Sequence, residues 1–313
     1  MKRVIYTSPF VPAELIGAHG LSAERLIPVS GRESKCCSVE GMCQYALTFV
    51  NEVTTKKGIG AAIFATTCDQ MRRAADLIVR RSTTPVFLMN VPATWHTTTS
   101  RGLYRSELER LGRFLVGLGG SAPSSKQLAQ VMMRVTLERS GSPGTIRPTV
   151  CSFGRAKRPS EPFGKPIALI GGPLPRDEHW LITAIEMAGG RIVLDGTENG
   201  ERTLPALFDS RKIKTDPMAE LVRAYFETIP DVFQRPNTRF YDWLERAILE
   251  REVQGVVVRH YVWCDLWRAE VPRIVERTNL PVLHIDTEGG SLSKERTISR
   301  IQSFFEILNN DKP

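Results

Sequence analysis

Two similarly built α/β domains, each around an open and mostly parallel sheet, are what the sequence predicts. Three observations predict it. Short apolar runs alternate with amphipathic stretches of helical length, the pattern of βαβ units. A basic stretch rich in Gly, Pro and Ser, from Arg139 to Pro166, divides the chain near its middle. On either side of it, one strand–helix–strand segment recurs in nearly the same form.

In order, the first half reads as a strand over residues 4–7, a helix around 13–19 and a cysteine-containing loop over 30–42. A helix follows from about 44 to 56, then a buried strand at 61–66, a helix at 69–81 and a strand at 86–90. Residues 97–140 read as mainly helical. After the divide, "KPIALIGGPLPRDEHWLITAIEMAGGRIVLD" is strand, glycine turn, helix, Gly-Gly stop and strand. Residues 204–252 read as helical, a second βαβ unit follows, and a helix from about 294 to 308 closes the chain. The expected division is an N-terminal domain over 1–150 with a Cys-rich loop, a linker over 151–165, and a C-terminal domain over 166–313. Both domains are expected to be flavodoxin- or Rossmann-like, with helical insertions.

Of the 313 residues, 42% are hydrophobic and 24% charged, a composition that buries cores and is not disordered. Nothing approaches a membrane-spanning apolar run. The N-terminal apolar run is broken by Pro9 and Pro12, so a signal peptide is not expected and the reading is cytoplasmic. The net charge of +8 is spread along the chain without a basic run or zinc-finger spacing. That argues against nucleic acid as a partner and leaves room for anionic small molecules such as coenzyme A thioesters. "GGPLPRDE" lacks the G-x-G-x-x-G of a dinucleotide loop, and "GLGGSAPSSK" lacks G-K-[ST] and a leading strand, so no ATP site is expected.

The repeat sets "GAAIFATTCDQMRRAADLIVRRSTTPVF" beside "GVVVRHYVWCDLWRAEVPRIVERTNLPVL". Each has glycine, an apolar strand, Cys-Asp, an amphipathic helix and a proline before a new strand. Seventeen positions separate Cys68 from Pro85, and seventeen separate Cys264 from Pro281. Ligands of open α/β sheets sit beyond the carboxyl ends of the strands. Both thiols are expected there, just before a helix N-terminus that favours the thiolate, with Asp69 and Asp265 as N-caps. "KCCSVEGMCQYA" offers Cys36, Cys37 and Cys43 as further ligands. The five histidines form neither HExxH nor a tight pair in the sequence, so a zinc hydrolase is poorly supported, whereas a Cys-rich donor set suits iron–sulfur. Glu33, Ser38 and Glu40 could handle protons, but the plainer reading is a solvated loop.

Several segments, in order, resemble the 2-hydroxyacyl-CoA dehydratase and benzoyl-CoA reductase family of iron–sulfur subunits. They are "VPAELIGAHGLSAERL", "TTCDQMRR", "GGPLPRDEHWLITAIEMAGGRIVLDGTENGERT", "WCDLWRAEVPRI" and "LPVLHIDTEGGSLSKERTISRIQSFFEIL". The resemblance implies a [4Fe–4S] cluster in the interdomain cleft, held by Cys37 or Cys43 together with Cys68 and Cys264. It implies a homologous subunit as partner, in a homo- or heterodimer, and an acyl-CoA substrate. It also implies a separate ATP-hydrolysing iron–sulfur activator that injects a low-potential electron for dehydration or reduction. It assigns no catalytic side chain. Arg202 in "NGERT" matches a family arginine, either structural or facing CoA. With six cysteines (Cys36, Cys37, Cys43, Cys68, Cys151 and Cys264), a double-cubane [8Fe–9S] protein reducing small molecules is the alternative. A non-catalytic assembly or docking subunit is another.

Overall fold

The structure is a computed structural model that describes residues 1–29, 39–140, 164–288 and 291–310. Its first sheet holds β1 (Arg3–Tyr6), β2 (Ser22–Arg25), β3 (Ile59–Ala65) and β4 (Val86–Met89). The second holds β5 (Lys165–Gly171), β6 (Gly190–Gly196), β7 (Gly255–Tyr261) and β8 (Val282–Thr287). The spatial orders are β2-β1-β3-β4 and β6-β5-β7-β8, with every pairing parallel. The two halves therefore repeat one topology, and the two α/β domains read from the sequence are present.

The central strands are continuous apolar runs because helices cover both of their faces. On one face of the first sheet, Ile5, Ala62 and Phe64 pack under α2 (Gln44–Thr55) and α3 (Asp69–Arg81). In α3, Met71, Ala74, Ala75 and Ile78 supply the buried stripe at helical spacing. The other face, with Val4, Tyr6 and Ile63, lies against α1 (Ala13–Ala18), α4 (Thr98–Gly117) and α5 (Ser125–Ser140). In the second sheet, Val256 and Val258 face α9 (Thr238–Glu250) and α10 (Asp265–Thr278). Val257 and Leu169 face α6 (His179–Met187) and α11 (Ser291–Asn310). α10 ends on Asn279 in the left-handed conformation at φ 50°, which sets up the Leu280-Pro281 turn into β8.

The two halves are joined along one side. Phe208, Tyr225, Phe226 and Phe233 belong to the same buried cluster as Val4 and Ile63. Tyr104 stacks on Phe226 at 4.8 Å, and the Tyr225 hydroxyl donates to Glu14 at 2.6 Å. Two expectations need correction. β2 is absent from the sequence reading, because Ser-Ala-Glu-Arg at a sheet edge shows no apolar alternation. The helical stretch expected over 204–252 is broken into α7 (Ser210–Thr215), α8 (Pro217–Leu221), a π-helical turn (Val222–Glu227) and α9.

Gly171, the last residue of β5, shows how tightly the second sheet closes at its carboxyl end. A Cβ there would lie 1.9 Å from the carbonyl oxygen of Arg259 on β7. Gly171→Ala is expected to lower unfolding stability by about 1–3 kcal/mol or more, because backbone must move to admit the methyl group. Urea denaturation checks this, and an unchanged midpoint would refute it.

Candidate functional site

Three thiols stand where chain ends of one kind meet. Cys43, Cys68 and Cys264 are the N-cap residues of α2, α3 and α10. Cys68 follows β3 and Cys264 follows β7, the equivalent strands of the two sheets, each beside the point where the strand order reverses. The sequence expectation of Asp69 and Asp265 as caps is off by one residue. Each helix begins at the aspartate, so the cysteine takes the cap position. Asp69 points outward and pairs with Arg72 at 3.6 Å. None of the three thiols makes a cap hydrogen bond of good geometry. The nearby amides of the first turns nevertheless draw their pKa values down.

That pull loses. Burial, then the charge of Cys68, pushes Cys43 up to about 12. Burial, then Cys264, does the same for Cys68, and burial with a contribution from Cys43 does so for Cys264, each to about 12. The expectation that the helix ends alone would hold thiolates is therefore reversed in the bare protein, because desolvation and mutual repulsion outweigh the helix ends. Relative to an ordinary value of 9, this leaves about a thousandfold less thiolate at pH 8. Metal-free folded protein is expected to alkylate slowly with iodoacetamide and urea-unfolded protein quickly. Metal loading should accelerate as pH rises, since the ligands must shed protons. Equal alkylation rates in the two states would refute the shifts.

Cys68 and Cys264 both pack against the buried cluster that holds Cys43, Tyr45 and Tyr261, and Glu198 lies close enough to push Cys68 and Cys264 up further. Glu198 is deeply set yet keeps 22% of its side-chain surface open. Burial raises it from 4.5 to about 7, against the pull of Arg25 at 3.6 Å. Arg25 itself links the two halves, donating to the carbonyl of Thr7 at 2.9 Å and that of Glu198 at 2.8 Å. Tyr261 is 4% exposed, and the Arg259 guanidinium lies 3.9 Å over its ring.

These residues fit an iron–sulfur group. Soft sulfur donors and three positive helix ends suit a thiolate-bound cluster of net negative charge. Among the described residues, no group of three or more His, Cys, Asp or Glu could hold a metal ion. The trio thus does not make a mononuclear centre. In a cluster each thiolate takes its own iron, and the sulfurs need only surround it.

Cys36, Cys37, Cys151, Glu33 and Ser38 lie outside the described residues, as does most of the expected linker; Glu40 is exposed. Arg202 does not line the cleft: it is 1% exposed and bonded inside the second half. A contact hidden from the sequence is the pair His260 and His284 on adjacent strands, with ring nitrogens 2.6 Å apart. His260 Nδ1 must carry hydrogen, since its partner is the Tyr261 carbonyl at 2.7 Å. In the neutral pair, His284 Nε2 therefore donates and His260 Nε2 accepts. Burial first holds both rings below the usual 6.5, with Asp286 opposing and Arg259, Arg268 and Arg300 assisting. The unfolded chain thus takes up protons below about pH 6.5 that the folded pair refuses. The melting temperature of wild type relative to His284→Gln should fall as pH drops through that region, and a constant difference would refute the shift.

Comparison with curated proteins matched none. Among solved structures, similar chains include a mutant laminin-binding adhesin of Streptococcus agalactiae, 12% identical, covering 98% of this chain and 99% of that one at a TM-score of 0.26. The SBP FpvC of P. aeruginosa with Ni2+ is 8% identical, covering 99% and 97% at a TM-score of 0.28. Likeness at this level carries no functional argument. The family model described as 2-hydroxyglutaryl-CoA dehydratase, D-component, matches residues 9–140 and 152–308. That match takes in every strand but β1 and all three capping thiols, and the chain belongs to the 2-hydroxyglutaryl-CoA dehydratase D-component family.

Proposed function

We propose that this protein is the iron–sulfur subunit of a radical 2-hydroxyacyl-CoA dehydratase, with Cys43, Cys68 and Cys264 as the ligands of a [4Fe–4S] cluster. The observation that carries the reading is the placement of these three thiols on three helix N-caps packed at one buried cluster. Held by Cys43, Cys68 and Cys264, the cluster would supply single-electron chemistry. The chain's own residues do the rest. Arg25 ties the Glu198 loop of the second half to the first. Glu198, held near 7, is able to exchange a proton at neutral pH. Electrons come from a separate ATP-dependent activator and the reaction is completed with a homologous subunit, in keeping with membership of a family of dehydratase components. No helix among the described residues is long and apolar enough to cross a membrane.

Protein purified without oxygen, with its partner subunit, should be brown and contain iron and sulfide. With activator, ATP and reductant it should dehydrate a 2-hydroxyacyl-CoA. Iron near eight rather than four per chain would favour the double cubane. Anaerobic protein without iron, indifferent to Cys68→Ala and Cys264→Ala, would end the reading.

A further inference from the structure

We infer that Gln70 is the positioning residue of this site: one side-chain amide ties the loops bearing Cys43, Cys68 and Cys264 into a single frame. The inference rests on reading that trio as the cluster site. Gln70 lies two residues after Cys68, in the first turn of α3. Its Oε1 accepts from the backbone N–H of Cys43 at 3.0 Å. Its Nε2 donates to the carbonyl of Gly41 at 3.3 Å and to that of Trp263 at 3.3 Å.

Each partner is next to a ligand. Cys43 N–H belongs to one thiol residue itself, Gly41 turns the chain into α2 at φ +74°, and Trp263 immediately precedes Cys264. The bond to Trp263 spans 193 positions and joins the two halves of the protein. The chemistry of the partners allows only one orientation of the amide. A backbone N–H can only donate and a carbonyl can only accept, so oxygen must face Cys43 and nitrogen must face Gly41 and Trp263. Glutamine alone is both long enough and double-natured. A glutamate keeps the acceptor for Cys43, loses both donors and sets a carboxylate against two carbonyl oxygens.

Outer partners that orient metal ligands matter on a characteristic scale, about 10–100-fold in metal affinity when removed. Gln70 is only partly buried, so its replacement should leave the folded core intact.

The test uses Gln70→Glu and Gln70→Ala in the full-length protein, with two readouts besides turnover. In metal-free protein, iodoacetamide labelling of each cysteine is followed by mass spectrometry, and the melting temperature is measured alongside. Faster labelling of Cys43, Cys68 and Cys264 in both variants at an unchanged melting temperature is expected. In anaerobically loaded protein, iron release to a chelator should accelerate about 10–100-fold in both. Wild-type labelling in Gln70→Glu would mean that bulk, not the donor pair, matters, and would overturn the inference. So would labelling that rises only in step with global melting. Wild type that takes up no iron would overturn the cluster reading, while the metal-free labelling would still decide whether Gln70 holds the three loops together.

Discussion

Cys68→Ser and Cys264→Ser are each expected to abolish cluster loading and lower dehydration more than about a hundredfold, beyond the usual loss on removing an outer partner. The usual objection to such a variant is that it misfolds, and here the geometry answers it. Both thiols occupy N-cap positions, and serine is among the preferred residues there. Its oxygen accepts from the first-turn amides that sulfur only approaches, so the metal-free variants should keep or gain stability, by up to about 1 kcal/mol. Iron and sulfide analysis beside thermal melting of the metal-free proteins separates the outcomes. Iron lost with melting unchanged marks a ligand; iron retained in full removes that cysteine from the site.

The site was partly legible in the sequence because strand ends and helix starts leave strong local signals. The equal spacing from Cys68 to Pro85 and from Cys264 to Pro281 reports two copies of one strand–helix–strand unit, and the sheets do share one strand order. α3 begins and ends where its apolar stripe and basic last turn place it. What stayed hidden depends on contacts between distant parts of the chain. Gln70 reads as an ordinary first-turn residue until Trp263 is seen beside it. His260 and His284 are 24 positions apart and meet only because β7 and β8 pair in register. Glu198 looks like a loop carboxylate, and only the cleft raises its pKa. The direction of the thiol shifts was also beyond local reasoning, since helix ends are visible in a sequence and the burial of three thiols together is not.

Arg202→Met is expected to destabilise the protein by about 3–5 kcal/mol, the cost of breaking a buried ion pair and leaving one partner behind. The Arg202 side chain is wholly enclosed. Its guanidinium donates to the carbonyl of Gly196 at 2.8 Å, the carbonyl of Pro230 at 2.8 Å and the carboxylate of Asp231 at 2.7 Å. It also stands 5.2 Å over the ring of Trp267, in the first turn of α10 after Cys264. One side chain therefore holds the end of β6, the loop before Gln234 and the helix behind a capping thiol. Methionine matches much of the bulk but supplies none of the donors, and Asp231 is left 13% exposed without its cation. Lysine restores charge but not the fork that meets three acceptors at once, so Arg202→Lys should recover only part of the loss. Urea unfolding that keeps its slope and loses midpoint would place the whole effect on stability. If Arg202 instead met the substrate, the variant would unfold like wild type and show its defect in KM for the acyl-CoA. A residue closed off from the cleft on every side gives the first of these results.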